Sequence, residues 1–153
     1  LIRKVLAANN LGPNDHFAHF YETIGETLLV PTRIYVRSVL GLLDQGVPIR
    51  GMAHITGGGI AGNLSRVIPD GLSAQINMSN MNVPVVFRSI QELGGISDAE
   101  MMRVFNMGVG FVLVIPEALE RTAVKLLADA GERPLPLGRI VKGAEKVVLG
   151  GVL

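Results

Sequence analysis

A chain of 153 residues, 48% hydrophobic and 18% charged, has the length and composition of one domain with a real core. Its formal net charge of +1, from 14 basic and 13 acidic side chains, gives no general attraction to nucleic acid or to an anionic membrane, so any anion is bound locally. The absence of cysteine excludes a disulfide framework, a thiolate metal site and a thiol nucleophile, and it fits a reducing compartment, with cytoplasm as the expectation.

The opening "LIRKVLAANN" carries Ile2, Val5 and Leu6 at helical spacing with no N-cap and no starting methionine ahead of them. The chain is therefore expected to be the carboxyl-terminal part of something larger, residues 1–153 forming one domain. No apolar stretch approaches the roughly 18 residues that span a bilayer, and no signal sequence opens the chain. After a polar loop, "TRIYVRSVLGLLDQG" places Tyr35, Val39, Leu42 and Leu43 on one predicted helical face, with Gly46 as its stop. "IRGMAHIT" reads as a short strand that runs straight into Gly57, Gly58 and Gly59, and Leu64, Val67 and Ile68 are spaced for a brief helix ended by Pro69.

"GLSAQIN" alternates Leu72, Ala74 and Ile76 as a half-buried strand does. Pro84 opens a helix with Val86, Phe87, Ile90 and Leu93 on one face and Gly94 after it, and Ser97 with Glu100 signals a capping box for the next. "VGFVLVIP" is nearly continuous apolar sequence and the best candidate for a central strand. A helix with Leu119, Ala123, Leu126, Leu127 and Ala130 follows, stopped by Gly131, and "LPLGRIVKG" and "KVVLGG" close the chain as strands. The fold class is α+β: a mixed sheet with helices packed mainly on one face, in two layers.

Three successive glycines lose much conformational freedom on folding, so the backbone there must turn sharply or touch something. A glycine loop at a helix start presents unpaired N–H groups with no side chains in the way, which suits a phosphate or carboxylate. The pattern is neither the nucleotide P-loop nor the dinucleotide fingerprint, and a tight structural turn is the competing reading. His54 and Thr56, two apart on a strand, face one side and could address one ligand; alternatively His54 is a satisfied core histidine. Asn63 and Arg66 follow on the helix, able to cap backbone or meet the same anion. A second glycine bend, "FNMGVGF", has Asn106 before Gly108 and Gly110, either a bulge or a close approach by a ligand. Thr32 and Arg33 read as capping plus surface charge.

Two absences bear on cofactors. His16 and His19 have no partner that completes a metal pattern, and the aspartates at 15, 44, 70, 98 and 129 fall singly at loops, turns or caps, without the paired carboxylates of a magnesium site.

In order along the chain, "PTRIY", "GMAHITGGG" with Asn63 and Arg66, "VPVVF", "FNMGVGF" and "LGRIVKG" resemble the carboxyl-terminal domain of the phosphoribosylformylglycinamidine cyclo-ligase (aminoimidazole ribonucleotide synthetase) family. The resemblance runs essentially the whole length, and it implies an ATP-dependent ring closure in purine biosynthesis. It further implies that ATP and Mg are bound mainly by an amino-terminal domain ahead of this one, in a homodimer of the full-length enzyme. In that reading Gly57, Gly58 and Gly59 hold a phosphate, His54 is catalytic, Thr56 and Asn63 line the pocket, and Asn106 and Gly108 contribute to it. Formylglycinamidine ribonucleotide is the implied substrate; nucleic acid and membrane are not implied partners, and the fragment alone is expected to be inactive. Gly62, Ser65, Met81 and Val85 depart from the family's usual residues around the pocket's edge. The synthetase part of formylglycinamide ribonucleotide amidotransferase, and a non-catalytic anion-binding module, are the alternatives.

Overall fold

The computed structural model of the chain describes residues 1–18 and 20–151. In chain order its elements are α1 (Ile2–Ala8), α2 (Ile24–Leu28), α3 (Val36–Asp44), β1 (Gly51–His54), α4 (Gly59–Leu64), β2 (Leu72–Asn77), α5 (Val85–Gly94), α6 (Asp98–Val104), β3 (Phe111–Val114), α7 (Glu120–Asp129), β4 (Gly138–Lys142) and β5 (Val147–Gly150). Among the described residues no helix is long and apolar enough to cross a membrane.

The strands divide between two sheets. β2 lies between β4, antiparallel to it, and β5, parallel to it, which gives the mixed sheet. β1 and β3 form a separate antiparallel pair with Ala53 opposite Val112 and His54 opposite Phe111. β3 is thus not the central strand its apolar run suggested, because it is paired on one side only; β2 is the central strand of the three-stranded sheet. The apolar run has another cause, coverage of both faces. Val112 enters a core with Ala53, Ile55, Ile60, Leu64, Ala74, Ile76 and Val147, while Leu113 and Ile115 lie under α3 and α7 beside Leu42, Val47 and Ala123. Ala74 and Ile76 bury one face of the three-stranded sheet, and Gln75, Arg139 and Val148 stand exposed on the other, so helices cover mainly one side.

Most local signals hold with small shifts, but α4 ends at Leu64, and Val67 and Ile68, expected on the same helix, lie in the turn after it. α5 stops on Gly95 (φ 57), one residue beyond the expected Gly94. Ser97 caps α6 by accepting from the Glu100 N–H (3.3 Å), but the expected box is only half formed, because Arg103 donates to both Glu100 carboxylate oxygens at 2.7 Å. That pairing holds the Glu100 carboxyl below its ordinary pKa. The reciprocal box is instead at Thr23 and Glu26, ahead of α2. On α3, Leu42 is buried, whereas Leu43 is exposed with Val36 and Leu40, contrary to the face expected. His16 lies in an exposed loop, its Nδ1 3.0 Å from the Glu22 carbonyl; His19 lies outside the described residues.

Candidate functional site

The chain leaves the sheet pair at His54 and turns through the glycines into α4. The alternation of β1 continues past its end: Ala53 and Ile55 are buried, His54 and Thr56 exposed. Sequence spacing had put His54 and Thr56 on one side, and the structure does so; the alternative of a buried core histidine is set aside by the exposure of His54.

The three glycines serve different needs. Gly58 takes φ 100 as the residue capping α4, a left-handed conformation that favours glycine. Gly59 takes φ 62, is buried, and a Cβ on it would fall on the Met102 carbonyl oxygen at the end of α6. Gly57 has neither constraint: it is exposed, its φ is not positive, and a Cβ there would meet nothing within 4 Å. Among the described residues the N–H groups of Gly57 and Gly58 have no hydrogen-bond partner, whereas the Gly59 N–H is used by the Thr56 carbonyl at 3.1 Å.

Asn63 shapes this loop from beneath. Its side chain, 6% exposed, donates to the Gly59 carbonyl at 2.9 Å and reaches the Gly57 and Thr56 carbonyls at 3.3 and 3.4 Å. Drawing three carbonyls inward turns the opposite edge of the peptides, with their N–H groups, toward the surface. Asn63 therefore sets the conformation of the loop from its buried side. Arg66 is exposed on the turn after α4.

The second glycine bend abuts the first. The Phe105 carbonyl lies 3.1 Å from where a Gly59 Cβ would be, and the Ile55 N–H donates to the Gly110 carbonyl at 2.9 Å. Asn106 accepts the Gly108 N–H on its side-chain oxygen at 3.1 Å, closing a turn in which buried Met107 is left-handed at φ 50. Gly108 passes so close to Pro84 that a Cβ would sit 2.5 Å from its Cδ. Gly110 lies under the Tyr35 hydroxyl, which a Cβ would overlap. Asn106 and Gly108 thus build the bend, and every glycine in it is accounted for by packing.

Two features escaped sequence reasoning. Tyr35, read as part of the apolar face of α3, instead joins His54 and Phe111 in a three-ring cluster, with ring centroids 6.3 and 5.4 Å from Tyr35. Arg33 is more than surface charge: its Nε meets Glu132 at 2.6 Å and its guanidinium donates to the Gly131 carbonyl at 2.5 Å. Both residues lie in the quoted "PTRIY", but their partners come from β1, β3 and the end of α7, which no local spacing announces. For a cation the picture differs, since among the described residues no three His, Asp or Glu side chains gather. Asp70, Asp98 and Asp129 are engaged with Lys146, Gln91 and Lys125, and Asp15 with the Gly12 N–H.

Residues 1–150 match the family described as AIR synthase related protein, C-terminal domain. The chain is 45% identical to the phosphoribosylformylglycinamidine cyclo-ligase of Bacillus licheniformis over 152 residues, 99% of the chain and 43% of that protein. To the cyclo-ligase of Pseudothermotoga lettingae it is 42% identical over 149 residues, 97% of the chain and again 43% of the relative. It therefore spans under half the length of these relatives. A solved structure, hydrogenase maturation protein HypE, superposes with a TM-score of 0.65 over 98% of this chain and 45% of that one, at 16% identity, which shows a shared fold.

Proposed function

Because this chain belongs to the AIR synthase related family and corresponds to its C-terminal domain, we propose that it supplies one wall of the catalytic cleft of a phosphoribosylformylglycinamidine cyclo-ligase. The reaction converts formylglycinamidine ribonucleotide and ATP into aminoimidazole ribonucleotide, ADP and phosphate. The formyl amide oxygen takes the terminal phosphoryl group of ATP. The neighbouring amidine nitrogen then attacks that carbon, the C–O bond breaks, phosphate leaves with the electron pair, and the nitrogen gives up its proton.

The observation that carries this reading is Gly57. Gly58 and Gly59 are explained by backbone conformation and by contact with α6; Gly57 is explained by neither, and space and a free N–H lie beside it. A phosphate seated there, on the N–H groups of Gly57 and Gly58, uses the missing side chain. Such a cradle suits phosphoryl transfer and phosphate departure, which depend on positioning and on stabilising developing charge more than on covalent help. Thr56 adds an exposed hydroxyl on the same side, and Asn63 fixes the loop from below. His54, exposed at the end of β1, is assigned the proton released by the attacking nitrogen, a task suited to imidazole near neutral pH. Asn106 and Gly108 close the turn that follows α6, the helix whose end packs on Gly59.

Among the described residues no three His, Asp or Glu side chains converge, as the hard oxygen ligands of magnesium need to. We assign Mg, and most of the ATP contacts, to the part of the full-length enzyme outside this chain, which in this reading works as a cytoplasmic homodimer. The chain alone then does not turn over. The test is calorimetric titration of the full-length enzyme with formylglycinamidine ribonucleotide, and separately with Mg-ATP, against its Gly57→Val variant. Loss of binding of either ligand supports the cradle and tells which phosphate it holds; unchanged binding of both, with unchanged turnover, overturns it.

A further inference from the structure

The neighbour of His54 that sequence reasoning did not single out is Tyr35, and its surroundings are more elaborate than a half-buried tyrosine at the start of a helix needs. Its ring sits edge-on to the imidazole with centroids 6.3 Å apart, and 5.4 Å from Phe111, the residue directly opposite His54 in the β1–β3 register. His54 and Phe111 are themselves 6.1 Å apart and nearly parallel, at 26°. The imidazole is thus flanked by two rings, one from its own sheet partner and one from outside the sheet.

Tyr35 is in turn fixed on three sides. Its hydroxyl occupies the space that a side chain at residue 110 would need, so a glycine there admits the ring. Arg33, two residues before it, is bound to Glu132 and to the Gly131 carbonyl, and Ser38, three residues after it, donates its hydroxyl to the other Glu132 oxygen at 2.6 Å. The Glu132 side chain is 12% exposed and that of Arg33 is 53% exposed, so the acceptor is sheltered beneath an open donor, and the junction ties both flanks of Tyr35 to the residues just past α7. Burial, and next the nearby Glu132 charge, push the Tyr35 hydroxyl pKa up.

We propose that Tyr35 is a positioning residue for His54: its ring, held by Gly110 and by the Arg33–Glu132–Ser38 junction, sets the imidazole beside the glycine loop. This rests on the assignment of His54 in the proposed reaction. An imidazole free to swing about χ1 and χ2 would spend much of its time away from a reacting nitrogen, and displacement by about an ångström from productive geometry costs up to roughly a hundredfold in rate.

The experiment uses the full-length enzyme in four variants, His54→Gln, Tyr35→Phe, Tyr35→Leu and Gly110→Ala, read by steady-state kinetics and by nuclear Overhauser contacts between the His54 and Phe111 rings. Tyr35→Phe keeps the ring and is expected to behave as the parent. Tyr35→Leu is expected to lower kcat by about tenfold or more with KM changed less than about twofold, and to weaken the His54–Phe111 contact. Gly110→Ala, which retains the tyrosine and pushes it off its seat, is expected to reproduce that loss; it serves also if Tyr35→Leu fails to fold. A Tyr35→Phe variant as impaired as Tyr35→Leu would overturn the proposal in favour of a role for the hydroxyl. Unchanged contact and kcat in Tyr35→Leu, in an enzyme that needs His54, would overturn it outright. Unchanged turnover in His54→Gln would instead overturn the assignment of His54 on which it rests.

Discussion

The two glycine bends at the open end of the β1–β3 pair look alike in sequence and differ in what the missing side chains make room for. In the bend before β3, Gly108 yields to Pro84 and Gly110 to Tyr35, so both glycines are consumed by the protein's own packing. In the loop after β1, only Gly59 is consumed in that way, by the Met102 carbonyl; Gly58 serves a left-handed cap, and Gly57 faces open space. Glycine alone therefore does not mark a ligand site. Within these two bends the informative glycine is the one that neither φ nor a neighbouring atom requires.

The comparison breaks first, and most severely, at Gly59→Ala. That variant adds left-handed strain and a collision with a backbone carbonyl that no rotamer change can relieve, an expected loss of about 3 kcal/mol or complete failure to fold. Urea denaturation gives the number, and a stable Gly59→Ala would show that α6 is free to retreat. Gly110→Ala comes next at about 2 kcal/mol, less because a tyrosine side chain can move where a carbonyl cannot. Asn63→Ala follows at about 1.5 kcal/mol, the loss of one good hydrogen bond and two long ones at a buried amide. It should also speed hydrogen exchange at the Gly57 and Gly58 amides, because the loop loses its support; exchange equal to the parent's would argue that the loop conformation is set elsewhere.

Much of this was legible in the sequence, and the part that was not has a common cause. Period-two alternation carried His54 and Thr56 correctly to one side, whose exposure the fold supplied, and the glycine run correctly marked a strand-to-helix turn. Apolar continuity in "VGFVLVIP" suggested a central strand, and the structure gives it covered faces without a central place, because helices bury a face that no neighbouring strand borders. The purpose of each glycine was illegible, since Met102, Pro84 and Tyr35 lie 43, 24 and 75 residues from the glycines they meet, as their numbering gives. The place of Asn63 was open for the same reason: sequence left it between capping backbone and meeting an anion, and only the fold tells that its amide reaches the loop carbonyls from beneath.

The smallest expected change in stability is the most telling. Gly57→Ala replaces a glycine at a backbone conformation open to other residues, with nothing for the new methyl to strike, so folding stability is expected to hold or to rise by up to about 1 kcal/mol as the unfolded chain loses freedom. If the space above Gly57 belongs to a phosphate, the same methyl occupies it. Binding and turnover in the full-length enzyme then fall while the melting temperature does not, a separation that neither Gly59→Ala nor Gly110→Ala can produce. Were Gly57→Ala instead to keep full activity, the loop after β1 would be the same kind of object as the bend before β3, a turn closed around its own protein, and the phosphate would have to be held by another part of the enzyme.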